Sequence, residues 1–260
     1  MSRLTRGMLA AGLASLLALT GCASSPAPSA APTTTAPEEA TLTVFAAASL
    51  TEVFTDLGAT FEAEHPGVTV QFSFLGSSTL VDQLAQGAPA DVFASANETQ
   101  MDRAVTEGVV ADPTLFASNV LTLVVEPGNP LGISGLDASL DDAKLVTCAS
   151  EVPCGAATDT LSEELGVTLA PVSREQKVTD VLGKVTSGEA DAGVVYVTDA
   201  RRAGDEVEEV AIDGTDQVVN RYPIAVAAEA PQPDLAAQFV ALVISDTGQA
   251  ALAEAGFSGP

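Results

Sequence analysis

The chain has 260 residues, 47 % of them hydrophobic and 17 % charged, with a formal net charge of −25 and a single histidine. A surface this acidic repels phosphodiester backbones and anionic lipid head groups, which excludes nucleic acid and a charged bilayer face as partners. Beyond the N-terminal leader, no segment is long and apolar enough for a transmembrane helix.

The chain opens with Arg3 and Arg6 and then an uncharged run from Met8 to Thr20. That run is shorter than the ~20 residues a bilayer span requires, and small residues close it, the layout of a secretory signal. It ends in Leu19-Thr20-Gly21-Cys22, which resembles the lipobox of bacterial lipoproteins. The resemblance implies that residues 1–22 are a lipoprotein signal, that Cys22 is lipidated, and that the protein is extracytoplasmic and anchored to the cell membrane. Residues 23–40 are Ala, Pro, Ser and Thr with two glutamates and no large apolar side chain. Such a stretch cannot offset its ordering entropy by burial, so a disordered linker is expected, extended by proline to roughly 50 Å.

From residue 41 onward, strand and helix signals alternate. TLTVFAAAS (41–49) reads as a strand, and the following helix carries Leu50, Val53, Phe54, Leu57 and Phe61 at helical spacing. VTVQFSFLG (68–76) is a strand, STLVDQLAQGAP a helix, DVFASAN (91–97) a strand and 98–106 a helix. A single strand is expected over 120–127. Next come a strand at 144–150, helices beginning at Pro153 and Lys177, a strand through AGVVYVTDA, and a short strand at 207–212. A return strand at 222–230 and one long helix from Asp234 complete the chain. The order implies crossover helices over mostly parallel sheets. The expected fold class is α/β with two lobes: 41–121 plus 222–260 form lobe I, 122–221 form lobe II, and a ligand cleft lies between them.

In such sheets, ligands sit at the carboxyl ends of strands, where helix N-termini converge. Four junctions qualify: Ala48-Ser49, Gly76-Ser77-Ser78-Thr79, Pro153-Cys154-Gly155 and Lys177-Val178-Thr179. Each offers backbone N–H groups without intrahelical partners, and the helix dipole favours an anion there. Taken singly, Ser49 and Ser77 read equally well as ordinary helix caps. Apart from Cys22, the cysteines are Cys148 and Cys154 in CASEVPC, with no histidine nearby. In an oxidising compartment the pair is expected to form a disulfide and not a metal site.

FAAASL (45–50), SSTL (77–80), GAPADVFASA (87–96), GVVY (193–196) and AEAGF (253–257) together resemble the molybdate-binding proteins of ABC molybdate importers. These belong to the type II periplasmic-binding-protein superfamily. The resemblance covers nearly all of the chain after residue 41. It implies a non-enzymatic monomer that binds molybdate, and tungstate with it, and delivers it to the membrane permease and ATPase of the importer. It needs no cofactor, and molybdenum is held as the oxyanion with no direct metal ligand. Carried over by position, the oxyanion donors are Ser49 and Ser77 (hydroxyl and N–H), Cys154 and Val178 (backbone N–H), and Tyr196 (phenolic hydroxyl). Gly76 stands where some members have a further serine, and Cys154 where some have alanine.

Molybdate is a dianion that accepts hydrogen bonds and offers none. Neutral hydroxyls and amides serve it without the cost of burying a lysine or arginine. A sulfate or general oxyanion receptor is the nearest alternative. A serine hydrolase built on Ser49 or Ser77 is a more distant one, because such a nucleophile needs a nearby base. The sole histidine, His65, lies in the turn EHPG, expected at the opposite ends of the strands.

Overall fold

The computed structural model describes residues 39–260. The signal, Cys22 and all but the last two linker residues lie outside that range. The linker was expected to run to residue 40, but Ala40 already pairs with Val68 in the first strand.

Strands β1 (Ala40–Ala47), β2 (Val68–Leu75) and β3 (Val92–Ala94) lie parallel in the order β2-β1-β3. Helices α1 (Thr51–Glu64) and α2 (Ser77–Ala85) make the crossovers. From Val44 to Ala47 β1 is buried at every position, as expected for a parallel strand covered on both faces. Its alternation decides which helices cover which face. Leu42, Val44 and Ala46 join the cluster of Phe54, Phe61 and Phe239, whereas Phe45 joins Leu80, Leu84 and Met101. Helix α3 (Glu98–Thr106) and strand β4 (Thr114–Asn119) complete this part of the chain.

Immediately after β4 the chain enters a second sheet through β5 (Leu121–Val125). The strand expected over 120–127 is β5, whereas β4 was not anticipated, and the chain breaks between them at Val120 to change sheets. Asn119 explains the break. Its carboxamide accepts the Val120 N–H at 3.0 Å and donates to Thr198 Oγ1 at 2.8 Å, pinning the crossing point. The second sheet adds β6 (Leu145–Cys148), α4 (Pro153–Leu165), β7 (Ser173–Glu175), α5 (Val178–Thr186), β8 (Ala192–Tyr196), α6 (Val197–Ala203) and β9 (Glu208–Val210). The strand expected through residue 200 stops at Tyr196, whose N–H is taken by the Asp199 carboxylate at 3.2 Å as α6 begins.

The chain returns to the first sheet through β10 (Asn220–Val226), antiparallel between β3 and β4. The sheet orders are β2-β1-β3-β10-β4 and β7-β6-β8-β5-β9. Each has one strand against four: β10 in the first sheet and β5 in the second. The expected boundaries at 121/122 and 221/222 shift slightly. Leu121 already pairs with Tyr196 in the second sheet, and Asn220 already pairs with Asn119 in the first. The long C-terminal helix is two helices, α7 (Pro233–Ile244) and α8 (Asp246–Glu254), bent by 58°. Ser245 interrupts it by accepting the Gly248 N–H, a cap that starts a new helix. Both helices pack on the first sheet through Phe239, Val243 and Leu252.

Candidate functional site

The carboxyl ends of β1, β2 and β8 meet the starts of α2, α4 and α5 around a small cavity of about 20 Å³. Organic ligands occupy pockets of roughly 300–1,000 Å³, so this one suits only a compact solute. From the first sheet come Ala48 and Ser49 after β1, Gly76 and Ser77 after β2, and Ala96 after β3. From the second come Val152, Pro153 and Cys154 at the start of α4, Lys177 and Val178 at the start of α5, and Tyr196 ending β8. All five residues anticipated as ligand donors, Ser49, Ser77, Cys154, Val178 and Tyr196, line this one cavity.

Side-chain caps are found at some helix starts, and α1 and α7 also begin without one, but three uncapped starts face this cavity. α3 is capped by Asn97 and α8 by Ser245, each accepting a backbone N–H. α2, α4 and α5 have Gly76, Val152 and Lys177 at the cap position and no side-chain cap at all. Their first N–H groups therefore lack the partner a cap supplies, and they converge on one spot. The two serines are not caps. The Ser77 hydroxyl accepts the Ala96 N–H at 3.0 Å, and the Ser49 hydroxyl meets the Tyr222 hydroxyl at 3.0 Å. Neither partner is a base, and His65 lies at the far end of α1 against Phe61, so no nucleophile–base pair forms at either serine.

Two features of the second sheet shape its side of the cavity. Cys148 and Cys154 are joined in a disulfide with Cα atoms 5.7 Å apart, which ties the end of β6 to the first turn of α4. Gly155 allows this turn to fold tightly, since a Cβ there would lie 1.9 Å from the Ala149 carbonyl oxygen. Gly76 plays the corresponding part between the two halves. A Cβ on Gly76 would sit 2.2 Å from the Gln176 carbonyl oxygen and 3.0 Å from Val152 Cγ1. In this chain the room that a serine would need at position 76 is taken by the facing backbone.

The electrostatics are those of neutral donors. No carboxylate lines the cavity, and the one cation at its wall, Lys177, is partly exposed and paired with Asp180 at 3.4 Å. Tyr196 is fully buried, and among the described residues its hydroxyl makes no hydrogen bond of good geometry, with Tyr222 and Asn220 as polar neighbours. Burial, followed by the neighbouring Tyr222 and Asp199, pushes its pKa well above the usual phenol value, so it remains a proton donor. An unpartnered buried hydroxyl costs about 1–3 kcal/mol unless something at the cavity accepts from it. Behind Tyr196, burial raises Asp199 to about 6, only partly offset by Arg202 at 3.6 Å. A larger hollow of about 320 Å³ lies between α1, α6 and α8. It sets Glu52, Asp56 and Glu254 against Arg201 and Arg202, and none of the buried unpartnered atoms borders it.

Sequence reasoning did not reach Tyr222, Asn220 or Ala96. Tyr222 and Asn220 belong to the return strand, and Asn220 Nδ2 donates to the Ala96 carbonyl oxygen at 2.9 Å. Nothing in YPIAV distinguishes a tyrosine beneath a site from one in a core.

The family model described as bacterial extracellular solute-binding protein matches residues 42–258. The molybdate-binding protein ModA of Mycobacterium tuberculosis (strain H37Rv) is 44 % identical over 257 residues, covering 97 % of this chain and 98 % of that protein. Among solved structures, the periplasmic molybdate-binding protein of Azotobacter vinelandii superposes with a TM-score of 0.74 at 20 % identity, over 84 % of this chain and 99 % of that one. The sulfate-binding protein SubI of M. tuberculosis superposes with a TM-score of 0.68 at 25 % identity, over 85 % and 87 %.

Proposed function

Because the chain belongs to the ModA family of molybdate-binding proteins, within the bacterial extracellular solute-binding proteins, we propose that it captures molybdate, and tungstate equally, outside the cytoplasm and hands it to an ABC importer. The chain divides into one lobe around each sheet, and the ion is held where they meet. Ser49 and Ser77 donate from the first lobe, and Cys154 N–H, Val178 N–H and the Tyr196 hydroxyl donate from the second. One copy supplies donors from both sides, so the protein works as a monomer. Lipidation of Cys22 and an extended linker keep it at the membrane beside the permease.

The observation that carries this reading is the Tyr196 hydroxyl, buried and unpartnered at the wall of a cavity that gathers three uncapped helix starts. A dianion satisfies donors of this kind without bringing a proton of its own. A protonated phosphate would bring a donor that finds no carboxylate here, at a cost of about 1–3 kcal/mol. Sulfate has the same charge but is smaller, so a cage fitted to molybdate leaves some of its hydrogen bonds long. The fold shared with a sulfate receptor makes sulfate the competitor to test. Thermal unfolding with each oxyanion at the same millimolar concentration should show about 4 kcal/mol of stabilisation for molybdate and tungstate, the value for roughly 1,000 times a micromolar Kd, and at least about 1.4 kcal/mol less for sulfate and phosphate. Stabilisation by sulfate alone would replace the ligand assignment. For the anchor, Cys22→Ser should leave a precursor that is neither lipidated nor retained at the membrane on fractionation. A fully processed, membrane-retained variant would remove lipidation from the account.

A further inference from the structure

Both serine hydroxyls at the cavity have their oxygen engaged from behind. For Ser77 the direction is unambiguous, because Ala96 N–H can only donate. The Ser77 proton is therefore free to point into the cavity. At Ser49 the partner is the Tyr222 hydroxyl, 3.0 Å away, and either oxygen can carry the bridging proton. The two arrangements have opposite consequences. If Ser49 donates to Tyr222, it turns lone pairs toward the cavity and repels an anion. If Tyr222 donates, the Ser49 proton faces the ligand and the site becomes donors only.

We propose that Tyr222 is a positioning residue that fixes Ser49 as a hydrogen-bond donor to the bound oxyanion. Its placement suits that role. Tyr222 is fully buried on β10, held edge-on by the rings of Phe116, Tyr196 and Phe257 at centroid distances of 6.2, 6.1 and 5.4 Å. These contacts fix the Tyr222 oxygen beside Ser49, with Asn119 and Tyr196 as its other polar neighbours. Burial also raises its pKa above the ordinary phenol value, so the proton stays on Tyr222 throughout the physiological range. A phenol is a better donor than an aliphatic alcohol. An anion accepting from Ser49 makes the Ser49 oxygen a better acceptor, so the relay from Tyr222 through Ser49 to the ligand is mutually reinforcing. Tyr222 itself does not line the cavity. It acts through Ser49, and it comes from the return strand, so a segment far along the chain sets the proton direction at the first site residue.

The proposal deepens the oxyanion-binding reading, and its test separates the two. Affinities for molybdate and phosphate are measured by titration on the full mature chain and on Tyr222→Phe, Ser49→Ala and the double variant. Phenylalanine keeps all three edge-on ring contacts, and apo melting verifies that each variant is folded. Tyr222→Phe should weaken molybdate binding about 5- to 15-fold, Ser49→Ala at least as much, and the double variant by less than about twofold beyond Ser49→Ala. Molybdate should also lose more than phosphate in Tyr222→Phe, because a released Ser49 can turn a lone pair toward a protonated oxyanion. Unchanged molybdate affinity in Tyr222→Phe overturns the proposal. So does an equal further loss in the Ser49→Ala background, which would mean that Tyr222 supports the pocket's shape and not the serine's proton. If the unmodified chain prefers another oxyanion, the ligand assignment falls, and the same cycle run with that oxyanion decides the role of Tyr222.

Discussion

Replacing Gly76 with alanine places a methyl carbon 2.2 Å from the Gln176 carbonyl oxygen and 3.0 Å from Val152 Cγ1, both on the opposite side of the cavity. An ordinary carbon–oxygen contact is about 3.3 Å or more, so the halves must part by roughly 1 Å there. A hydrogen bond stretched by that amount, from about 2.9 to 3.9 Å, is no longer one. Gly76 has φ −62° and ψ 139°, which alanine adopts freely, so the change introduces no backbone strain within its own half. If two of the donors from the second half lose contact with the anion, at about 1.5–2 kcal/mol each, the loss is roughly 3–4 kcal/mol, or about 10²- to 10³-fold in Kd. The apo protein should also lose some stability, because the atom met is main chain and cannot swing aside. Calorimetric titration beside apo melting reads both quantities. Full-strength molybdate binding by Gly76→Ala would refute the reasoning, because the halves would then not need this close approach to hold the ion.

Tyr196→Phe keeps a fully buried ring and removes the unpartnered hydroxyl. It should cost about 1–3 kcal/mol of molybdate affinity with little change in apo melting, and the reverse pattern would make the tyrosine structural. Replacing the disulfide by Cys148→Ser with Cys154→Ala retains every backbone donor. For a loop of about seven residues it should lower apo stability by roughly 2–2.5 kcal/mol and affinity by about 0.5–1.5 kcal/mol, seen mainly in the dissociation rate. Unchanged binding kinetics would confine the bridge to stability. Asp199 titrates at about 6 when folded against 3.8 for the free group, so the folded state holds its proton more tightly. Stability from this group is therefore present below about pH 4 and lost as pH rises through about 6, by up to roughly 3 kcal/mol. Asp199→Asn should remove that component from the pH–stability curve, and a curve parallel to that of the unmodified protein would contradict it.

How much of this was legible in the residues depended on whether a signal was local. The strand–helix alternation and the starts of α2, α4 and α5 could be read, because Gly76-Ser77, Pro153-Cys154 and Lys177-Val178 mark their own junctions. The convergence of five named positions on one cavity followed from the family resemblance, because a single helix start carries no address. Three breaks were hidden because one side chain makes each. Asn119 ends the unanticipated β4 where β5 begins, Asp199 turns the end of β8 into α6, and Ser245 restarts the last helix. The role of Tyr222 and the close approach at Gly76 were silent for a further reason. Their significance lies in contacts with Ser49 and Gln176, distant in sequence, and no local spacing announces such a pairing.

The most direct measurement is isothermal titration of the mature chain with molybdate, tungstate, sulfate and phosphate in one buffer at fixed ionic strength. Molybdate and tungstate should bind at about micromolar Kd or tighter and within a few-fold of each other, with sulfate and phosphate weaker by at least about 1.4 kcal/mol, a factor of ten. Sulfate binding as tight as molybdate would contradict the central claim and leave a general oxyanion receptor in its place.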